Sequence, residues 1–414
     1  MPTKVISALF VLFLTATIVA GADWPQWRGP LRDDISTETG LLKQWPAEGP
    51  PLAWKATGLG EGYSGVSVVG GRIYTMGDIG EASFLLALDA ANGKVVWSTQ
   101  MGKSGGNYPG PRCTPTVAGD RVVALGQFGD LVCVAAADGK ELWRRNLKSD
   151  FGGKMMSGWG YAESPLVDDG KVICTPGGSH GTMIALSEKT GEVIWRSKDW
   201  TDNAAYTSMI IATINGVRQY IQLTDASVVG VSPKDGSVLW RASRPGKVAV
   251  IPTPIFADNS VYVNSGYDIG CNLFKISAGT TAGSFSAQQV YANKVIKNQH
   301  GGIVKVGDYL YGYSDGSGWT CQNFKTGEAV WQEKAKLPKG SLSCADGMLY
   351  LRAESGPGTV VLLEPTPTGW TEKGRFDQPN RSNVNSWPHP VISGGRLYLR
   401  DKDSLFCYDV KQKS

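Results

Sequence analysis

Few of the 414 residues carry side chains suited to covalent or metal chemistry. Histidine occurs at three positions only, His180, His300 and His389, and three such ligands would satisfy zinc if folding gathered them. There is no G-x-S-x-G elbow, no H-E-x-x-H pair and no phosphate-binding P-loop. No C-x-x-C-H stretch is present to attach a haem. Five residues of mixed type stand out instead because each opens a repeated strand: Arg112, Glu163, His300, Trp387 and His389. Arg112 is a fixed cation with a planar fork, and Trp387 offers a stacking face. Glu163 is placed to pair with Arg112 across neighbouring repeats. Both histidines titrate near neutrality, so an anion held by this set should bind more strongly as the pH falls towards 6. The set suits binding of a small polar or anionic ligand. No catalytic residue and no metal ligand is assigned, and no cofactor is expected.

These residues are positioned by a repeat. A Gly followed four residues later by Trp recurs at Gly93/Trp97, Gly139/Trp143, Gly191/Trp195, Gly236/Trp240 and Gly327/Trp331. Each Gly sits in a polar turn and each Trp ends a short aliphatic run, the pattern of two strands joined by a tight turn. A second landmark, a turn followed by a strand (GRIY, DRVV, GKVI and their kin), occurs eight times at spacings of 39 to 50 residues. Four short strands per unit of this length are the signature of a propeller blade. The expected architecture is all-β: one eight-bladed propeller. Its blades run at about 57–98, 108–144, 158–196, 204–241, 248–292, 297–332, 338–377 and 384–410 with 51–56. The fifth has Tyr291 where Trp is expected, and the seventh replaces the turn with Glu364–Trp370. Pro51–Ala56 supplies the outermost strand of the last blade, so the two ends of the chain close the ring and remove an open sheet edge. Inner strands converge on the axis, which brings the five candidate residues to one mouth of the channel.

Three regions follow from this reading. Residues 1–22 form an export signal: Lys4, an apolar run and a small-x-small cleavage site. Residues 23–50 form an extended segment packed on the propeller, with the two Trp of Asp23–Pro30 (DWPQWRGP) against the outside of the ring. Residues 51–410 form the propeller itself. Trp200, outside the repeat register, is expected to matter less to stability than Trp195. Cys133, Cys321 and Cys407 align with Ala87, Ala185 and Gly230, where close strand packing wants a small residue.

The A-L-D-x-x-x-G-x-x-x-W repeat resembles the pyrroloquinoline-quinone (PQQ) repeat of quinoprotein alcohol dehydrogenase-like propellers. In that family the Trp of each outer strand docks between blades. The resemblance assigns this role to Trp54, Trp97, Trp143, Trp195, Trp240 and Trp331. DWPQWRGP, Asn298–Gly302 (NQHGG) and Trp387–Pro390 (WPHP) resemble secreted bacterial members described as PQQ-like propeller proteins. The superfamily spans quinone-dependent dehydrogenases and the propeller lipoprotein of outer-membrane protein assembly, so the repeat specifies fold far better than function. A dehydrogenase of this kind needs a quinone slot roofed by adjacent cysteines, and here no two cysteines are closer than 20 residues. It also needs several hard oxygen ligands for Ca²⁺; Glu163, Asp268 and Asn272 are the candidates, with no evident grouping.

The resulting expectation is an exported, non-catalytic binding or scaffold propeller working through its channel mouth or blade rims. It would be periplasmic or secreted, without membrane insertion after signal cleavage, and monomeric. A PQQ-dependent alcohol or sugar dehydrogenase using PQQ and Ca²⁺ is one alternative. A propeller that binds secreted proteins during outer-membrane assembly is the other. A net charge of +4 argues against nucleic acid as a partner.

Overall fold

The computed structural model describes residues 22–279 and 283–413. Its regular structure consists of strands: eight antiparallel sheets, each meandering from an innermost to an outermost strand. In the first blade these are Ser67–Val69, Arg72–Ile79, Ala82–Asp89 and Val95–Lys103. In the last they are Val391–Ser393, Arg396–Asp401, Ser404–Asp409 and, from the other end of the chain, Leu52–Ala56. The ring is therefore closed as the sequence predicts. The expected export signal lies, except for Ala22, outside the described residues.

One cross-strand register runs through every blade. Tyr74 faces Ala87, which faces Trp97. The same triplet recurs as Val123–Cys133–Trp143, Ile173–Ala185–Trp195 and Ile221–Gly230–Trp240. It continues as Tyr262–Leu273–Tyr291, Tyr311–Cys321–Trp331 and Tyr398–Cys407–Trp54. The middle residue is small wherever the outer one is Trp. This explains Cys133, Cys321 and Cys407, which are buried thiols filling the space beside an indole. All seven cysteines are buried and unpaired.

The repeated Gly and Trp answer each other across blades. The indole N–H of Trp97 donates to Ala136 O (3.1 Å), that of Trp143 to Glu188 O (2.8 Å) and that of Trp195 to Pro233 O (3.0 Å). In each case the acceptor lies three residues before the turn Gly of the next blade. A Cβ at Gly139, Gly191 or Gly236 would lie under 3.0 Å from the docked ring. These glycines are thus needed for positive φ and also to admit the preceding blade's Trp. Trp54 and Trp331 follow the rule, donating to Ala90 O and Thr366 O, and the Tyr291 hydroxyl reaches Phe324 O in the same way. Trp240 departs from it: its indole bonds Gln219 of its own blade instead (2.7 Å).

The seventh blade lacks an outer Trp, and its triplet reads Tyr350–Leu362–Gly374. Trp45, from the segment before the propeller, supplies the missing ring. A side chain on Gly374 would collide with the Cβ of Trp45, and the indole lies 5.8 Å from Tyr350. Trp97 meets Tyr74 at nearly the same separation, 5.9 Å.

The N-terminal segment does not pack on the outside of the ring. Residues 24–36 thread the axis and bond the inner strands of all eight blades. Trp24 exchanges two backbone hydrogen bonds with Val68, and Pro25 O accepts from Val117 N. Arg32 donates to Ser164 O and Pro165 O of the third blade and to Met209 O of the fourth. The Trp27 indole donates to Thr253 of the fifth, and Arg28 to Ile303 O of the sixth. Ile35–Ser36 adds a short parallel strand to the seventh, and the Ser36 hydroxyl donates to Ile392 O of the eighth. A wet channel has many carbonyls to satisfy, and a polar segment with two arginines satisfies them. Trp200, although outside the repeat register, is fully buried in one cluster with Trp195.

Candidate functional site

Beyond this axial segment, the loops that lead into the inner strands enclose a cavity of about 290 Å³. Its walls are aromatic: Tyr63, Tyr108, Trp159, Tyr206, Tyr267 and Trp387, with Trp27 contributed by the N-terminal segment. Tyr63 and Trp387 stack at 3.9 Å, and Tyr108 stands edge-on to Trp159 at 6.3 Å. Tyr108 and Tyr267 hold positive φ (58° and 55°), a conformation costly for bulky side chains and characteristic of residues fixed by their surroundings at a site. The polar lining comes from Arg112, Gln299, His300, Glu354 and Asn385.

Of the five residues expected at the mouth, Arg112, His300 and Trp387 line this cavity. Arg112 has no carboxylate within ion-pair distance among the described residues. Its terminal nitrogens donate to Trp159 O (2.9 Å), Asn107 O (3.0 Å) and Tyr108 O (2.8 Å), so it pins the loops that carry two aromatic walls. Burial lowers its pKa from the usual guanidinium value. His300 Nε2 lies 2.6 Å from Glu354 Oε2, yet burial outweighs that carboxylate and lowers the imidazole pKa. The expected gain of charge near pH 6 is thereby displaced to lower pH.

The other two lie behind the wall. Glu163 is fully buried and does not pair with Arg112. Its carboxylate accepts from Thr175 N (2.7 Å), Thr175 Oγ1 (2.9 Å) and Gln222 Nε2 (3.1 Å). Burial pushes its pKa up to about 7, opposed by those bonds and by the Arg32 charge. His389 sits beneath Trp27, with ring centroids 4.6 Å apart. Its Nδ1 faces Asp34 Oδ2 at 2.9 Å and its Nε2 faces His300 O at 2.8 Å. Asp34 in turn pairs with Arg28 at 2.8 Å, both inaccessible. His180 lies exposed in its loop, apart from the other two. Asp268 is exposed and pairs with Lys294 and Lys297, and Asn272 faces a separate cavity beside Arg244. Among the described residues no three His, Cys, Asp or Glu side chains cluster as a metal site.

Nothing in the sequence pattern marks Tyr108, Trp159, Tyr267 and Glu354, which also line the cavity. The first three sit in the loops before or between strands, where no period marks them. Glu354 follows a second strand rather than opening an inner one.

The fold, with its repeated Gly–Trp register, defines a class, the PQQ-like β-propellers. A family model described as outer membrane protein assembly factor BamB matches residues 43–124 and 81–333, and the chain belongs to that family. It is similar to outer membrane protein assembly factor BamB of Burkholderia pseudomallei (strain K96243), 25% identical over 182 residues. That match spans 44% of this chain and 44% of the relative, less than half the length of each. BamB from Moraxella catarrhalis superposes with a TM-score of 0.56 at 14% identity, covering 82% of this chain and 94% of that one. The quinohemoprotein alcohol dehydrogenase of Comamonas testosteroni gives 0.63 at 14% identity, covering 95% and 81%. Both structural matches speak to fold alone. Among the described residues no helix is long and apolar enough to cross a membrane.

Proposed function

We propose that this protein is an exported, non-catalytic binding propeller that takes a small polar or anionic ligand into the cavity at its channel mouth. The observation that carries this reading is the cavity itself: seven aromatic rings from several blades around a few convergent polar groups, one of them a cation without a carboxylate partner. Concave, aromatic-lined sites with few placed polar groups are what small-molecule recognition uses. A periplasmic or secreted, monomeric protein with no nucleic-acid partner is part of the same proposal.

The donor set does not fit the Ca²⁺-bound quinone of the dehydrogenase alternative. Among the described residues Glu354 is the one carboxylate on the wall, it faces His300, and Ca²⁺ asks for several hard oxygens. A second reading, contact with secreted proteins, draws on the BamB-type family match and on apolar residues left exposed along outermost strands, such as Val95, Val193, Ile194 and Val330.

A thermal-shift screen of small polar and anionic compounds tests the proposal on the wild type and on Arg112→Ala and Trp387→Ala. Hits that raise the melting temperature of the wild type and lose their effect in the variants are expected. Absence of hits, or hits undiminished in both variants, moves attention to the blade rims.

A further inference from the structure

We infer that the ligand of this cavity is a neutral saccharide, one or two pyranose rings held between aromatic faces. The inference rests on the channel-mouth binding proposed above and names its ligand class. Two features of the wall support it.

The first is how the rings are set. Among the described residues of the wall only Tyr63 and Trp387 are stacked, while Trp159 and Tyr206 lie at 31° and 6.1 Å. Around them Tyr108 and Trp387 tilt at 50°, His300 and Trp387 at 42°, and Tyr108 and Trp159 at 90°. Rings tilted around a space present surface to a guest instead of filling one another's faces. A pyranose has a face of C–H bonds that packs on such surfaces and a rim of hydroxyls that does not.

The second is what those hydroxyls would meet. The indole N–H groups of Trp159 and Trp387, the hydroxyls of Tyr63, Tyr108 and Tyr267 and the amide of Asn385 have no hydrogen-bond partner among the described residues, and none is a buried orphan. Glu354 adds a carboxylate acceptor beside them. A wall with many separate neutral donors and acceptors matches a polyhydroxylated guest, each of whose hydroxyls donates and accepts. A flat apolar ligand would leave these groups unpaired at a cost for each.

Charge sets the neutral preference. Arg112 spends its terminal nitrogens on backbone carbonyls of two loops, so no free planar fork is left for a carboxylate or phosphate. Glu354 supplies a negative charge on the same wall, which an anionic guest would have to approach.

Titration calorimetry of the purified protein with glucose, galactose, maltose, cellobiose and glucuronate tests this, with the aromatic acid benzoate as a flat, non-sugar anion. At least one neutral sugar should bind saturably, and more tightly than glucuronate. Trp387→Ala should weaken it tenfold or more. Asn385→Ala, at an exposed position that leaves the melting temperature unchanged, should weaken it several-fold. Sugar binding unchanged in both variants, or tighter binding of glucuronate than of glucose, overturns the inference. Saturable, Trp387-dependent binding of benzoate with no sugar response overturns the saccharide assignment and leaves the cavity reading standing. No binding by any of these probes, together with an empty thermal-shift screen, removes both.

Discussion

Glu163 shows how far a residue's role depends on what surrounds it. It opens an inner strand beside Arg112 in register, yet its carboxylate turns inward to Thr175 and Gln222. Its pKa rises from 4.5 to about 7 because burial disfavours the charged form. A carboxyl that holds its proton more tightly when folded adds stability that is complete below pH 4.5 and lost as the pH rises through 7. The full loss is of order ~3 kcal/mol. Melting temperatures of wild type and Glu163→Gln between pH 5 and 8 check this: the wild type should fall relative to the variant as the pH rises. A parallel course would mean that the carboxyl is ionised throughout. The turn glycines allow a similar comparison. Gly216 and Gly236 both hold positive φ (80° and 76°), but only Gly236 has a docked indole, that of Trp195, where a Cβ would stand. Gly216→Ala should cost about 1 kcal/mol from backbone strain alone. Gly236→Ala should add roughly 1–3 kcal/mol for displacing the ring. Equal losses in urea unfolding would show that the Gly–Trp contact carries no weight.

At the scale of elements, the segment before the propeller is part of the core twice over. Trp45 completes the seventh blade at Gly374, and residues 24–36 occupy the axis. Trp45→Ala should therefore cost as much as Trp97→Ala, roughly 3–5 kcal/mol, since each removes a buried indole from the same place in a blade. Deleting residues 23–30 should be severe. It removes Trp24, which is fully buried, together with Arg28, and leaves the buried Asp34 carboxylate without its cationic partner. Breaking a buried pair by removing one partner costs ~3–5 kcal/mol. Chemical denaturation of the deletion variant reads this directly. A midpoint near that of the full protein would place the segment's contacts outside the stabilising core.

At the scale of the whole molecule, ring closure is the organising event. Leu52–Ala56 pairs with Ser404–Asp409, placing Trp54 opposite Cys407 and docking its indole onto the first blade at Ala90. Removing the chain through Ala56 leaves a three-stranded last sheet with an open edge and also strips the axial segment. Such a truncation should not show the cooperative melt of the intact protein. A preserved melt would mean that the remaining blades hold the ring without closure. The cavity is a property at this scale as well. Its walls come from all eight blades and from the N-terminal segment, so any loosening of the ring is expected to reduce ligand affinity before the protein unfolds.

By itself the chain was enough to specify the blade. Gly93 and Trp97, and each later pair, mark a turn and an outer strand because positive φ and a large docking ring each admit few residue types. The small partner of each Trp, Cys133 or Ala185 or Gly230, was legible for the same reason: it lies in register with a bulky neighbour and must yield space. Arg112, His300 and Trp387 could be placed at the mouth because inner strands must converge on an axis. What the tertiary structure decided lies where no period operates. DWPQWRGP has two Trp, two Pro and an Arg in eight residues, a composition that excludes a regular element without saying which surface it meets; only the ring shows that its partners are backbone and hydroxyl groups on the channel side of the inner strands. Trp45 could be matched to Gly374 only in three dimensions, since 329 residues separate them. Glu163 and His389 precede inner strands as the cavity residues do, but successive residues of extended chain point to opposite sides, and which of them meets the channel is set by packing rather than by residue type.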